Sequence, residues 1–174
     1  MQKKILLLFI SFSALLCCQA QNPFELGAEY MRPLGRGYNN SIAGVRGETF
    51  RSKSSFSIGL TYHFSSSKSY SISKGFGMYA GYRYSFNDNA DGKSPFLGAR
   101  MLFSFENFEG KTILNSLLFT PIAELGYHFM FGDHIYTAPA FGFGYTIKVT
   151  REYNSLDEDV GKRFIPMISA GYRF

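Results

Sequence analysis

Residues 163–174 alternate between two kinds of side chain, and this alternation restricts the segment to an extended strand. Counting back from Phe174, every second residue is apolar or aromatic: Tyr172, Ala170, Ile168, Pro166 and Phe164. The residues between them include Arg173, Gly171, Ser169 and Arg163. Because successive side chains of a β-strand point to opposite faces, the segment predicts a strand with one apolar face and one face that is small or charged.

The same period of two recurs along the chain, in segments separated by polar, Gly-rich or Asn-rich stretches. Six further segments show it: 24–30, 56–64, 76–86, 96–105, 123–129 and 135–148. Together with the final segment they predict seven strands, and therefore an all-β fold.

Charge is sorted between the two faces of these strands. The face that carries most of the aromatic residues has no charged side chain in any of the seven segments. The opposite face holds Glu25, Glu29, His63, Arg83, Arg100, Glu124, His128, Lys148 and Arg173. An Arg or Lys that faces lipid near mid-membrane costs about 2–4 kcal/mol, whereas a soluble barrel would place its charges outside and its apolar residues inside. The sorting predicts a transmembrane β-barrel.

Charged side chains enclosed in a barrel must be paired. The sequence therefore predicts a network in the lumen made of Glu25, Glu29, Arg83, Arg100, Glu124, Lys148 and Arg173. Within it, Glu124 is expected to pair with Arg83, Arg100 or Lys148. A barrel of eight strands has room for its own side chains and little else, so a filled lumen is favoured over an open pore.

The strand count requires one strand beyond the seven, since bacterial single-chain barrels have an even number. A weak alternation at 42–51 is the preferred position, and a short strand near 70–74 is the alternative. Three Gly-Tyr-x-aromatic motifs, at 81–84, 126–129 and 171–174, resemble strand ends at one membrane interface. A strand at 42–51 makes these the ends of strands four, six and eight of an antiparallel eight-stranded up-and-down barrel; ten strands would leave shorter connections.

That direction assigns the connections to the two sides of the membrane. The segments expected outside the cell are 34–41, 65–74, 106–113 and 150–161. The expected periplasmic turns are 52–54, 87–94 and 130–133, which are rich in the Gly, Asn and Asp residues that tight turns use.

The N-terminal residues 1–20 have the pattern of a cleaved signal peptide: Lys3 and Lys4, an apolar run from Ile5 to Leu16, and a small residue at Ala20. The barrel domain would then be 21–174. Both cysteines fall within the signal, so the mature chain would have no thiol. Loss of Lys3 and Lys4 leaves 16 of the 18 basic residues against 13 acidic ones, a net charge of +3. The basic residues are scattered, and no nucleic-acid site is predicted.

Three polar groups have spacings that resemble those of chemical sites, and each is better explained by a strand end or a surface turn. His63-Phe64-Ser65 has the His-x-Ser spacing of lipid A deacylase barrels resembling PagL. However, Ser66 follows where that family has Asn, and downstream of the motif, where that family has a Glu, the first acidic residue is Asp88. His128 and His134 flank a turn, and two ligands alone make no metal site. The acidic run 157–159 lacks the ligand spacing of a calcium loop. No catalytic residue, metal or cofactor is predicted.

The signal, the alternation, the Gly-Tyr-x-aromatic strand ends and the terminal Phe together resemble the small outer-membrane barrels of the OmpX/OmpA-transmembrane type, over 22–174. The resemblance implies an outer-membrane location in contact with lipid. It also implies that the barrel-assembly machinery reads the last strand, so Phe164, Ile168, Ala170, Tyr172 and Phe174 are the expected assembly signal.

The same resemblance implies a non-enzymatic structural, adhesive or surface-interaction role through the loops, with a surface or envelope protein as a possible partner. Two other functions are compatible with the sequence. One is a lipid A-modifying outer-membrane enzyme, and the other is a barrel accessory to a secretion or transport system.

Overall fold

The computed structural model describes residues 22–35, 38–65, 72–87, 92–108, 116–149 and 161–174. Within these ranges the chain forms only strands and turns. The strands are β1 (Phe24–Met31), β2 (Leu34–Gly35), β3 (Tyr38–Arg51), β4 (Ser54–Ser65), β5 (Ile72–Ser85), β6 (Ser94–Phe108), β7 (Ser116–Phe131), β8 (Ile135–Lys148) and β9 (Gly161–Arg173). No helix of the described part of the chain is long and apolar enough to cross a membrane.

The nine strands make an eight-stranded closed barrel, because β1 and β2 are two parts of one barrel strand. They are separated by Arg32 and Pro33, and each pairs with β3 on one side and β9 on the other. Every neighbouring pair is antiparallel, and the pairing of β1 with β9 closes the sheet. The predicted all-β, eight-stranded antiparallel fold is confirmed.

The register shows how strongly the strands are staggered. Residues that lie directly opposite one another can be followed once round the barrel, from Phe24 through Thr49, Phe56, Tyr82, Ala99, Ala123, Phe143 and Phe164 to Leu34. The path returns to the first barrel strand ten residues beyond its starting point, at Leu34 rather than Phe24. Closure of a sheet with such a shear requires strands that are tilted relative to the barrel axis, typically by about 35–45°.

The eighth strand lies at the first of the two predicted positions. Strand β3 contains 42–51 and pairs with β4 from Asn40–Ser65 to Arg51–Ser54. The alternative near 70–74 is wrong as a separate strand, because Ile72 to Lys74 are the first residues of β5. The first outer connection is also shorter than predicted, since Leu34–Gly35 and Tyr38–Ser41 belong to strands.

Antiparallel order places alternate connections at opposite ends of the barrel. We call one end the turn end: it carries the β3–β4, β5–β6 and β7–β8 connections together with Phe24 and Phe174. The other is the loop end, which carries the connections between β2 and β3, β4 and β5, β6 and β7, and β8 and β9. The three Gly-Tyr-x-aromatic motifs lie at or near the turn end, at the ends of β5, β7 and β9.

The faces of the strands follow the predicted sorting. Apolar and aromatic side chains cover the outside of the barrel, where Ile58 is 70% and Phe143 is 68% exposed. Arg, Glu and His side chains are buried inside. This distribution is the reverse of that in a soluble barrel, and it suits a barrel whose outer surface meets hydrocarbon.

Candidate functional site in the barrel lumen

The half of the lumen nearer the turn end contains a set of buried ionisable side chains, which we call the charged layer. Its members are Glu25, Glu29, Arg46, Glu48, Arg83, Arg100, Glu124, His128 and Arg173. They come from six barrel strands, and each points inward because it occupies the inward position of the two-residue alternation.

Six members of the charged layer form one continuous chain of alternating charge. Arg100 donates to Glu29 Oε1 and to Glu124 Oε2, both at 2.7 Å. The second oxygen of Glu124 accepts from Arg83 Nε at 2.6 Å, and Arg83 Nη1 lies 3.5 Å from Glu48 Oε2. Glu48 pairs in turn with Arg46. Three guanidinium groups thus alternate with three carboxylates, so this chain is electrically neutral.

Hydroxyl groups add hydrogen bonds to the chain of alternating charge at its β3 end. Ser55 donates to Glu48 Oε1 at 2.5 Å, and Arg46 Nη1 donates to Ser169 Oγ at 2.9 Å. Buried ions are tolerated when their remaining hydrogen-bonding groups are also satisfied, and these serines supply part of that requirement.

A second cluster lies at the seam where β1 meets β9. Arg173 donates to Glu25 Oε1 through Nη2 at 2.5 Å and through Nε at 3.1 Å. His128 Nε2 lies 3.1 Å from the same oxygen, while His128 Nδ1 lies 2.9 Å from the carbonyl oxygen of Gly92. Both ring nitrogens of His128 therefore lie next to acceptor oxygens. The cluster joins β1, β7, β9 and the β5–β6 connection.

Three of the arginines also cover aromatic rings of the lumen. The guanidinium carbon of Arg83 lies 4.1 Å from the centre of the Phe96 ring, and that of Arg100 lies 4.3 Å from the Tyr79 ring. Arg173 stands 5.4 Å from the ring of Phe50. Such contacts are attractive and fix the planar guanidinium groups in one orientation.

Nearer the loop end the lumen is closed by apolar side chains, which we call the apolar layer. Its members are Met31, Ile42, Tyr79, Leu102, Ile122, Ile165 and Met167, all at most 8% exposed and all in one contact cluster. Gly59 allows this packing, because a Cβ at that position would collide with the Tyr79 ring.

Cavities are small in both parts of the lumen. One is lined by charged-layer residues, including Glu48, Arg83 and His128, and another lies beyond the apolar layer beside His63, Thr120 and Arg163. Each has a volume of about 10 Å³, which is room for about one water molecule. The described lumen is therefore packed rather than open.

Most of the residues predicted for the lumen network come together in the charged layer, but Lys148 does not. Lys148 is half-buried at the loop end of β8 and lies opposite Leu118, whereas Glu124 lies opposite Gly142. Six residues of β7 separate Leu118 from Glu124, about 20 Å along a strand. Of the three partners considered for Glu124, the structure brings Arg83 and Arg100 to it.

Three members of the charged layer are outside the predicted lumen network. His128 was predicted to face inward but not to join the network. The other two are Arg46 and Glu48. Both are at most 1% exposed, and they lie two residues apart on β3, the strand with the weakest alternation. The signal that could have found them is their spacing: Arg46 and Glu48 are two charges of opposite sign on one face of the strand, with the small residue Gly47 between them.

The polar groups whose spacing resembles that of chemical sites lie apart from one another in the structure. His63 is fully buried in the lumen, with Nε2 3.1 Å from Thr61 Oγ1. His128 points into the lumen, while His134 is exposed at the turn end and stacks on Tyr172 at a ring distance of 5.0 Å. No group of three or more potential metal ligands occurs within the described ranges. The acidic run 157–159 lies outside the described residues.

The residues of the expected assembly signal share the outer surface of the last strand. Phe164, Ile168, Ala170 and Tyr172 are exposed on β9, and Phe174 follows it with 71% exposure. The backbone N–H of Phe174 donates to the carbonyl oxygen of Phe24 at 2.9 Å, and the two rings are 6.3 Å apart. These contacts lie at the β1–β9 seam.

No protein-family model and no curated protein matches the chain. Solved structures do match it. The N-terminal β-barrel domain of Pseudomonas aeruginosa OprF superposes with a TM-score of 0.65 at 11% identity, over 88% of this chain and 98% of that domain. Neisserial surface protein A (NspA) gives 0.60 at 14% identity, over 87% and 95%. Ail, the attachment invasion locus protein of Yersinia pestis, gives 0.47 at 17% identity, over 88% and 97%.

At such identities the likeness concerns the fold, and it agrees with the apolar exterior, the charged interior and the closed register. The chain is an eight-stranded transmembrane β-barrel of the Gram-negative outer-membrane type.

Proposed function

We propose that the protein is a non-enzymatic outer-membrane barrel with a structural or surface-interaction role, performed by the connections at its loop end. The observation that carries this proposal is the packed lumen. A neutral chain of three guanidinium groups and three carboxylates fills one part of the barrel, and the apolar layer packs directly against it through the contacts of Arg100 with Tyr79 and Met31. Because solutes have no described path through these layers, transport through the lumen is disfavoured and the surface of the barrel is the remaining place for function.

The proposed orientation has the turn end in the periplasm and the loop end outside the cell. In bacterial outer-membrane barrels the periplasmic turns are short and the outer loops are longer. The longest connection of this chain, between Lys148 and Gly161, is at the loop end, and the two-residue turn Ser52–Lys53 is at the turn end. In this orientation the signal at 1–20 would direct secretion, and the exposed face of β9 would be read during assembly.

Two alternatives have less support. A lipid A-modifying enzyme needs reactive groups on the lipid-facing surface, whereas His63 points into the lumen. An accessory role in secretion or transport needs a partner, and it would be a special case of the surface-interaction role. The fold neighbour NspA is named a surface protein, which agrees with function at the surface.

The orientation and role can be tested in cells with a short epitope tag. A tag inserted at 150–160 should be tolerated and should react with antibody on intact cells, whereas a matched tag in the Ser52–Lys53 turn should react only after the outer membrane is opened. Reaction of the second tag on intact cells would contradict the orientation. The surface-interaction role is tested by purifying the loop-tagged barrel in mild detergent and identifying the proteins that co-purify. A barrel with the 150–160 segment shortened is the comparison.

Conductance measurements test the packed lumen. In planar lipid bilayers the purified barrel should give no stable ion conductance above that of the bilayer with detergent alone. A reproducible single-channel current from the wild-type protein would contradict a role confined to the surface.

A further inference from the structure

The outward face of the barrel carries few charges, and those it carries have one sign. Three outward side chains are charged: Arg32, Arg51 and Lys162. This count covers the described side chains of the strands and of residues 32–33, which separate β1 from β2. All three are exposed cations. Arg51 lies at the turn end, where β3 finishes, and the other two lie toward the loop end on neighbouring barrel strands.

Arg32 and Lys162 flank one apolar platform. The backbone N–H of Arg32 donates to the carbonyl oxygen of Pro166 at 3.0 Å, which fixes Arg32 beside β9. Lys162 lies four residues from Pro166 on that strand, about 13 Å at the usual rise. Leu34 and its register partner Phe164 lie between the two cations. On the other side of β9, Tyr145 of β8 is the register partner of Lys162.

These two cations have no counter-ion in the described part of the protein. Neither side chain forms an ion pair or side-chain hydrogen bond with another described residue, and the described outward strand positions hold no carboxylate. A cation on the lipid face is tolerated when it reaches the headgroup level, which long side chains do by extending along the surface. Within the described part of the chain no carboxylate balances Arg32 and Lys162, and the anionic headgroups of membrane lipids carry the complementary charge at this level.

We propose that Arg32 and Lys162 bind the phosphate groups of a bisphosphorylated glycolipid of the outer leaflet, with its acyl chains on the Leu34–Phe164–Tyr145 platform. This proposal rests on the proposed location and orientation. The guanidinium group of Arg32 suits bidentate contact with phosphate, and Lys162 supplies a second point charge. A separation of about 13 Å along the strand favours one headgroup with two well-separated phosphates over a single phosphate. The apolar platform between the cations favours an amphiphile over a soluble anion.

Native mass spectrometry of the folded barrel in mild detergent tests this site. The probes are diphosphoryl lipid A, monophosphoryl lipid A and phosphatidylglycerol, each added to wild-type protein and to the Arg32→Gln/Lys162→Gln double variant. We expect the wild type to prefer diphosphoryl lipid A, and the double variant to lose about tenfold or more in affinity for it, since two charge-assisted contacts are removed.

The matched control is Arg51→Gln, which removes an exposed outward cation at the opposite end and should bind diphosphoryl lipid A like the wild type. The swap Arg32→Lys/Lys162→Arg keeps both charges and should retain most of the binding. Wild-type affinity in the double variant would overturn the site, as would an equal loss in Arg51→Gln or equal binding of phosphatidylglycerol.

Failure of the underlying membrane assignment would be seen separately. A barrel that resists detergent migrates differently in SDS gels before and after boiling, and each variant should keep that difference. Identical mobility of the wild type, with solubility in the absence of detergent, would contradict the membrane reading itself rather than the lipid site.

Discussion

The charged layer and the apolar layer share the same strands but hold the barrel together in different ways. On β7 the change from one to the other takes two residues, from Glu124 to Ile122. Glu124 is held by two guanidinium groups at fixed distances, while Ile122 has only apolar packing in its layer. Dispersion and burial act between any well-fitted apolar surfaces, whereas an ion pair requires one particular partner in one particular position.

This difference indicates a division of labour. A buried ion pair adds little net stability, because desolvation offsets most of the attraction. Its value here lies in register: the six-membered chain connects β1, β3, β5, β6 and β7. A slip of any one of these strands by one residue would turn the charges on that strand toward lipid. We infer that the apolar layer supplies cohesion and that the charged layer makes alternative registers unfavourable.

The largest expected effect comes from opening the seam that the charged layer bridges. Removal of Tyr172–Phe174 deletes Arg173, the partner of Glu25, and leaves the end of β1 without its hydrogen-bonded neighbour. Each unsatisfied backbone group in hydrocarbon costs several kcal/mol. The truncated protein should fail to accumulate in the outer membrane, as measured by cell fractionation.

A tag placed after Phe174 should be nearly as harmful if assembly reads the aromatic residues of β9. The 150–160 tag is the matched control for added sequence and should leave the outer-membrane level unchanged. Normal levels of the truncated protein would remove the support for a seam that depends on these three residues.

Breaking the charged layer at its centre should have the next largest effect. Glu124→Ala removes the carboxylate that Arg83 and Arg100 share and leaves the six-membered chain with one excess positive charge. Removal of one partner of a buried pair typically destabilises by about 3–5 kcal/mol. The free energy of unfolding in urea, measured on barrels folded into lipid vesicles, should fall by that amount. An unchanged unfolding midpoint would mean that Glu124 is solvated.

Trimming the apolar layer on the same strand should have a smaller effect. Ile122→Val removes one methylene group from the contact cluster, and such changes cost about 0.5–1.5 kcal/mol. The same unfolding assay compares the two layers directly, since Ile122 and Glu124 are both inward and almost fully buried. If Ile122→Val were as harmful as Glu124→Ala, the proposed division of labour would be wrong.

The sequence predicts which side chains of each strand point outward, because a surface in contact with lipid excludes charged residues. Every outward position of β4 is free of charge, so the period of two is visible in the sequence alone. The rule weakens where both faces have the same character. Residues 116–122 of β7 carry Leu118 and Ile122 inside and Leu117 and Phe119 outside, so the alternation disappears and the strand was predicted to begin only at 123.

Ion pairing is less predictable than facing, because it depends on which strands are neighbours and at what shear. Lys148 and Glu124 both face inward, but the register puts them about six residues apart along the barrel wall. Arg46 and Glu48 lie on the strand whose outward residues are small, which hides the alternation. The pattern along a strand determines the side of each residue, and the stagger of the whole sheet determines its partner.

The smallest effect is expected at a polar atom that belongs to the charged layer by position but not by bonding. Tyr136 is 1% exposed beside His128, with their rings 5.5 Å apart, yet its hydroxyl group has no hydrogen-bond partner among the described residues. A buried polar group without a partner is unfavourable, so its removal should be neutral or slightly stabilising. Tyr136→Phe should change the free energy of unfolding by less than about 1 kcal/mol, with any change in the stabilising direction.

Tyr136→Leu is the matched control, since it also removes the ring that stacks on His128, and it should be destabilising. A loss in Tyr136→Phe comparable to that in Ile122→Val would mean that the hydroxyl group is hydrogen-bonded, and the charged layer would then extend to β8.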